Sequence, residues 1–395
     1  MVERSDWKDL RVAIVKHAYT VAGGLEQELV DYLNPRAAGV LFIVHPFPQA
    51  RMPLNSVMRV FDQGKRVREF KTPAPRGPSV IFYLLDIFFT IYSFLRARTR
   101  IDLFIGVDNL NAFAGLILRR MGWVKTVVFY TIDYVPQRFE NRALNGVYHQ
   151  VDRFCCEHAD CIWNVSAAMM EARRVRWLAL DGCAPSLVVP LGCNFERIER
   201  LPVAQIHRHD VAFLGTLAPE QGIDWLLENW RAVRARVPDA RLIVIGGGAQ
   251  ENALRQQANR LDIASSVQFT GFIVDDIEVE RTLARCAVGV APYAADATSF
   301  KYYADPGKVK LYLAAGLPVV ITNVPPIAQV IRDAEAGFAI NHDDSELTET
   351  IVTLLTQDEL YERYRANAIR FAARFSWHRI FDEALSQTLA LDAAR

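Results

Sequence analysis

The sequence is poor in the features that mark metal, disulfide or nucleic-acid chemistry. Six cysteines are present, Cys155, Cys156, Cys161, Cys183, Cys193 and Cys286, and none forms a Cys-x-x-Cys pair. A zinc knuckle or thioredoxin-like site therefore has little support. No sign of charge dominates: Lys+Arg and Asp+Glu both number 45, which argues against a strongly basic field and a nucleic-acid partner. No Asp-x-Asp lies beside a strand end, so no divalent metal is expected. The N-terminal MVERSDWKDL is polar and has no apolar h-region, which excludes a signal peptide and makes a cytoplasmic location the expectation. Solenoid-period repeats and low-complexity tracts are absent.

What is present is a long globular chain. Its 395 residues, 51% hydrophobic and 23% charged, suit two domains of about 150–200 residues each. The longest apolar run, Ser79–Leu95, holds one charge, Asp86, and RARTR follows it. Seventeen residues is the lower limit for a membrane span, and a mid-segment Asp is costly there. A buried helix is the first reading, and a helix lying against a membrane surface is the second. Between Arg51 and Arg76, seven basic residues face only Asp62 and Glu69. That excess suits a solvated face, an anionic membrane surface or a phosphorylated acceptor.

Pattern and punctuation give two strand–helix series. Arg11–Val15 reads as a strand, LEQELVDYL as a helix stopped by Asn34-Pro35, and Val40–Val44 as a second strand. Further strands are expected at Leu103–Val107, Val127–Thr131 and Cys161–Val165. The spacing then predicts a linker over 191–210 and a second series from Val211: helix Ile223–Arg236, strand Arg241–Ile245, strand Val267–Phe269, helix Asp276–Arg285, strand Val288–Ala291, helix Gly307–Ala315 and strand Pro318–Ile321. This predicts an α/β chain of two doubly wound, Rossmann-like domains, 1–190 and 211–375, facing a central cleft. Residues 376–395 form an amphipathic helix, expected to pack back on the first domain.

Three motifs carry chemistry. Gly246-Gly247-Gly248 lies between a strand and a helix, where backbone N–H groups approach a phosphate or simply make a tight turn; Gly23-Gly24 poses the same choice. Lys308 opens a helix, where the dipole disfavours a cation unless an anion shares the site. That helix ends at Gly316, an expected left-handed cap, and Pro318 prevents its continuation. SFKYYAD places Lys301 and Tyr302 in a polar, aromatic loop suited to a sugar or phosphate. Asp133, in FYTIDYVP, orients a sugar or caps a turn. Asp108, in GVDNLNAFAG, reads first as a helix N-cap. His17 is a turn histidine or a catalytic one.

In order, VAFLGTLAPEQGIDWLLENW, LIVIGGG, VQFTGFI, CAVGVAPY and DPGKVKLYLAAGLPVVIT resemble the nucleotide-binding domain of GT-B-fold glycosyltransferases of the family-four, mostly retaining type. GGLEQELVDYL, CIWNVSAAM and VVPLGCN are similar to its first-domain glycine loop, last strand and link, so the likeness covers nearly the whole chain. It implies a hexosyltransferase that uses a nucleotide diphosphosugar as substrate, with no permanently bound cofactor and no metal. Donor-binding positions would be Gly215, Thr216, Gly246, Gly247, Gly248, Gly271, Phe272, Ile273, Lys301, Tyr302, Lys308 and Leu311. Gly23, Gly24 and Asp108 would form the acceptor-side loop, with Asp133 and His17 as catalytic candidates. The acceptor would be a saccharide or lipid-linked, as in cell-surface glycan assembly.

Several family positions differ. Thr216 and Gln221 stand where an Arg and a Lys usually hold the diphosphate, Leu311 where a Glu holds the ribose with Tyr303 eight residues earlier, and Ile132 where a His precedes Asp133. Lys301, Lys308 and Lys310 are the cations left to offset a diphosphate, with backbone nests at Gly215 and Gly246–Gly248. Two rival readings follow: a non-catalytic partner of another transferase, and a nucleotide-sugar epimerase on the same fold.

Overall fold

The computed structural model describes residues 7–18, 24–47, 50, 52–74, 79–177, 181–294 and 300–393. The chain divides into two compact units, one of Met1–Pro190 with Trp377–Arg395 and one of Leu191–Ser376.

The first unit is built on a sheet of eight strands. Its elements in chain order are β1 (Arg11–Ala18), α1 (Leu25–Leu33), β2 (Gly39–Pro46), β3 (Val57–Asp62), β4 (Lys65–Lys71), α2 (Ser79–Ala97), β5 (Ile101–Val107), α3 (Asn109–Arg120), β6 (Val124–Thr131), α4 (Arg142–His158), β7 (Cys161–Asn164), α5 (Ala168–Trp177) and β8 (Ser186–Val188). The strand order is β4-β3-β2-β1-β5-β6-β7-β8. All neighbours run parallel except β2–β3 and β3–β4. Val12–Val15, Phe104, Ile105, Val127 and Val128 are wholly buried, as expected of parallel strands covered on both faces. The helix Trp377–Ala393 belongs to this unit: Trp163 Nε1 donates to Thr388 Oγ1 at 2.9 Å, and the Tyr32 hydroxyl donates to Asp382.

Behind the sheet's carboxyl edge lies a buried ion pair. Arg173 on α5 reaches both oxygens of Asp152 on α4 at 2.9 Å. Its remaining donors reach Asn164 Oδ1 on β7 and Thr131 Oγ1 at the end of β6, both at 2.8 Å. The guanidinium is fully buried and sits 5.2 Å from the Phe129 ring centre. Four elements are thus tied at the turn that leads from Thr131 into Asp133.

The second unit comprises β9 (Asp210–Leu214), α6 (Ile223–Arg236), β10 (Arg241–Ile245), α7 (Glu251–Arg260), β11 (Val267–Gly271), α8 (Asp276–Ala284), β12 (Val288–Ala291), α9 (Gly307–Ala315), β13 (Val319–Thr322), α10 (Ile327–Asp333), β14 (Gly337–Ile340), α11 (Asp344–Thr356) and α12 (Asp358–Ala372). Its parallel sheet has the order β11-β10-β9-β12-β13-β14. Alternate residues feed two separate cores: Val211, Phe213, Leu242 and Val244 point into one, and Ala212, Ile243 and Ile245 into the other. Period-2 side-chain alternation with both faces apolar is the mark of a sheet covered on both sides. The stretch 191–210, expected as a linker, lies wholly within this unit, and its last residue begins β9. Arg200 Nε donates to the Ala314 carbonyl at 2.8 Å and Cys193 N–H to the Phe375 carbonyl at 2.8 Å.

Candidate functional site

In each sheet the strand order reverses once, between β1 and β5 in the first unit and between β9 and β12 in the second. The loops leaving the carboxyl ends of such strands diverge, and the crevice they leave is where open α/β sheets take ligands. Both groups of sequence-predicted residues fall at these two points.

In the first unit, His17 at the end of β1, Asp108 just after β5 and Ile132-Asp133 just after β6 line a cavity of about 200 Å³. Glu26, Arg138, Phe47, Tyr83, Phe139 and Tyr148 are also part of its wall. Aromatic faces with convergent carboxylates and a guanidinium make a lining suited to polyols, stacking on C–H faces and bonding hydroxyls. Gly24, at the start of α1, lies beside the buried Lys16–Glu26 pair, whose Nζ–Oε2 distance is 2.8 Å. Gly23 lies outside the described residues.

His17 is held at both ring nitrogens. Asn111 Nδ2 donates to the Val107 carbonyl at 2.6 Å, which fixes the amide so that its second N–H faces His17 Nδ1 at 3.0 Å. Nδ1 must then accept, Nε2 carries the proton, and Nε2 donates to Asp86 Oδ2 at 3.2 Å. The ring braces the cavity wall and has no free lone pair for proton transfer in this arrangement. Asp86, which looked like an intruder in an apolar helix, also lies 3.3 Å from His45 Nδ1. Burial would raise its carboxyl, yet the hydrogen bonds from His17 and His45 prevail and hold it at about 2.

Asp108 occupies the N-cap position of α3, but its side chain makes no capping bond, so the expected cap is corrected. Its φ is +70°, a conformation rare for a non-glycine residue and found most often where a site dictates the backbone. Burial pushes its carboxyl up to about 6, and the neighbouring Asp133 adds to the rise. A carboxyl whose folded value lies above its unfolded value favours the fold fully at low pH, and that contribution is lost as pH rises through 6. At neutral pH the ionised Asp108 therefore costs stability. Asp108→Asn is expected to raise Tm by about 2–4 °C at pH 7.5. The gain should vanish near pH 4, which parallel melts at the two pH values would check.

In the second unit, Lys308 is in the first turn of α9. Its Nζ donates to Gln221 Oε1 at 2.8 Å and lies 4.6 and 4.5 Å from the ring centres of Phe213 and Tyr293. Among the described residues no carboxylate pairs with it. Burial, with the nearby Lys301 adding to the effect, holds its ammonium well below the ordinary lysine range. Lys301 lies 5.5 Å from the Tyr293 ring centre. Gln221, standing where a cation was looked for, is the residue that aims Lys308. Tyr312 on α9 fixes the ends of both switch-point strands, its hydroxyl accepting from Leu214 N–H at 2.5 Å and donating to the Val290 carbonyl at 3.2 Å.

The glycine loops are packed more tightly than phosphate nests require. Gly215 N–H donates to the Ile245 carbonyl and Gly246 N–H to the Gly271 carbonyl, each at 3.0 Å. These two amides are engaged within the fold, which corrects their expected role as anion donors. A Cβ on Gly246, whose φ is +134°, would lie 2.0 Å from the Gly215 carbonyl oxygen, so the turn after β10 requires glycine. Gly247 and Gly248 follow in the same turn, and Thr216 is exposed beside it. Phe272 is 74% exposed and stands over Gly247. Ile273, Tyr302 and Leu311 are partly buried against the core, so their side chains serve packing. Lys310 is neither solvated nor offered to a ligand: its ammonium is buried and pairs with Asp305, whose other oxygen accepts from Leu191 N–H at 2.7 Å.

Sequence reasoning missed Asn111, Arg138 and Tyr83, whose signals were only adjacency to strand ends and to Asp86. No group of three or more His, Cys, Asp and Glu able to hold a metal ion occurs among the described residues. None of their helices is long and apolar enough to cross a membrane.

Comparison with known proteins agrees with this geometry. Residues 208–357 match the family model described as "Glycosyl transferases group 1". A phosphatidyl-myo-inositol mannosyltransferase of Mycobacterium leprae is 30% identical over 211 residues, covering 52% of this chain and 53% of that protein. The chain spans about half the length of such curated relatives. Among solved structures, sucrose-phosphate synthase from Thermosynechococcus elongatus superposes with a TM-score of 0.72 at 18% identity, covering 98% of this chain and 100% of that one. Anabaena HepE in complex with UDP gives 0.69 at 16% identity, covering 96% and 100%. At these identities the structural likeness speaks for the fold, which is GT-B.

Proposed function

We propose that this chain, a GT-B-fold protein whose residues 208–357 belong to the group 1 glycosyl transferases, moves a sugar from a nucleotide diphosphosugar to a saccharide or lipid-linked acceptor. The observation that carries the reading is Lys308: a half-buried lysine with no carboxylate partner among the described residues, aimed by Gln221 at the turn after β9. Such a cation is costly when alone and becomes favourable when an anion arrives. The donor's diphosphate is that anion, and Lys308 with Lys301 offsets the charge that grows on the leaving group. Phe272 and the Gly246–Gly248 turn flank the nucleoside, as UDP binding by HepE suggests for this chain. The acceptor occupies the first unit's cavity, where Asp108 and Asp133 orient its hydroxyls and His17 keeps the wall in place. Retention of anomeric configuration and work at the inner face of a membrane are part of the same proposal, the latter supported by the exposed apolar and basic side chains of the described residues among 51–76 and 79–100.

Incubation of the protein with labelled UDP- and GDP-hexoses tests the reading. Release of nucleotide that rises when membrane extract supplies acceptors supports transfer. Conversion of the donor sugar to its epimer without any acceptor would replace transfer by epimerisation, and no turnover with bound nucleotide would leave a non-catalytic partner.

A further inference from the structure

Helix α2 is apolar on its outer face as well as its inner one. Its buried face sets Asp86, Thr90 and Ser93, at 4, 0 and 2% exposure, beside the buried Phe82 and Phe94. Its outer face carries Ile81, Leu84, Phe88, Tyr92 and Leu95, exposed by 42, 64, 58, 39 and 43%. Spacings of three and four put these five on one stripe about four turns long, with no charged residue between Ile81 and Leu95 except the inward Asp86. A surface helix of a water-facing domain keeps its outer face polar. A contiguous apolar face of this size marks an interaction surface.

Charge identifies what covers it. At its C-terminal end the stripe meets exposed Arg96, Arg98 and Arg100. Alongside it the β3–β4 hairpin is docked through the Phe70 and Tyr92 rings, 5.9 Å apart, and through Arg96 over Phe70 at 4.5 Å. That hairpin presents exposed Lys65, Arg66, Val67, Arg68 and Lys71. Its carboxylate Glu69 is shared among Arg59, Arg66 and Lys71, and Asp62 stands at the turn. An apolar stripe rimmed by cations is complementary to an anionic bilayer: the stripe enters the acyl boundary and the cations meet head groups.

We propose that α2 and the β3–β4 hairpin form a docking face for an anionic lipid bilayer, and that the acceptor cavity is served from it. This rests on the transferase reading for the identity of the cavity's occupant. The same helix builds both places: Tyr83, one residue from Leu84, lines the cavity, and Asp86, two residues from Phe88, holds His17 in its wall. Docking of α2 therefore brings the cavity wall to the lipid interface, and the acceptor class is an amphiphile whose polar head enters the cavity while its tail stays in the bilayer.

Co-sedimentation of the full chain with phosphatidylglycerol–phosphatidylcholine vesicles, and with phosphatidylcholine alone, tests this. Binding to the anionic vesicles, weakened by salt, is expected. Leu84→Glu/Phe88→Glu should lower the partition coefficient at least about tenfold. Lys65→Glu/Arg66→Glu/Arg68→Glu, which leaves α2 intact, should remove the salt-sensitive part. Hydrogen exchange over 79–97 should slow on anionic vesicles. No binding to anionic vesicles at low salt, or equal binding by the Leu84→Glu/Phe88→Glu protein, would overturn the proposal. Self-association abolished by that variant would do the same and assign the face to a second copy. Thermal stabilisation by nucleotide reads the second unit, so its persistence in both variants separates failure here from failure of the transferase reading.

Discussion

Replacing Arg173 with leucine is expected to lower the stability of the first unit by about 3–5 kcal/mol, the cost of leaving a buried partner charge uncompensated. Asp152 would keep its carboxylate in a site where both oxygens now accept from the guanidinium. Asn164 and Thr131 would each lose a donor as well. The melting transition of this unit should fall by about 10 °C. The double variant Arg173→Leu/Asp152→Leu should recover much of the loss, because removing both charges removes the desolvation cost along with the attraction. Nucleotide binding by the second unit should persist in both. If the single variant melts like the wild type, the network does not organise the turn into Asp133.

Lys308→Met is expected to do the reverse: leave the protein as stable or more so, and weaken its affinity for a nucleoside diphosphate by about 10–150-fold. A charge-assisted contact contributes about 1.5–3 kcal/mol, which is that range of affinity. The gain in stability follows from the depressed ammonium. With its folded value below the ordinary one, Lys308 penalises the fold when charged, and the penalty fades as pH rises toward the ordinary lysine value. Binding of an anion raises that depressed value, so the wild type should take up a proton on binding the diphosphate wherever the pH lies between the empty and the bound value. Calorimetric titrations in buffers of different ionisation enthalpy would show this as a buffer-dependent heat, absent in Lys308→Met. A buffer-independent heat in the wild type would mean that Lys308 is already charged when the site is empty.

The second unit was legible because its segments are punctuated. Ile223–Arg236 and Arg241–Ile245 begin and end where the pattern put them, and Gly316 closes α9 in the left-handed conformation at φ +85°. In the first unit the β3–β4 hairpin escaped notice, since Lys65–Lys71 is exposed along nearly its whole length and so carries no apolar alternation. Asp86 was visible and its meaning was not, because periodicity finds a helix's faces without saying which one faces inward. Lys308 and Lys310 illustrate the same limit: two residues apart on one helix, they point to different neighbours, and Asp305 decides which of them is neutralised. Asp108 was placed at the right position for the wrong reason, since the strained backbone that frees its side chain from capping has no sequence signature.

The central claim is that the second unit holds a nucleotide diphosphate at Lys308. The most direct measurement is a thermal-shift series with UDP, GDP, ADP, CMP and dTDP on the wild type and Lys308→Met. The account predicts that one base stabilises the wild type and that the shift is lost or strongly reduced in the variant. Absence of any shift at millimolar nucleotide, or an equal shift in the variant, would contradict it.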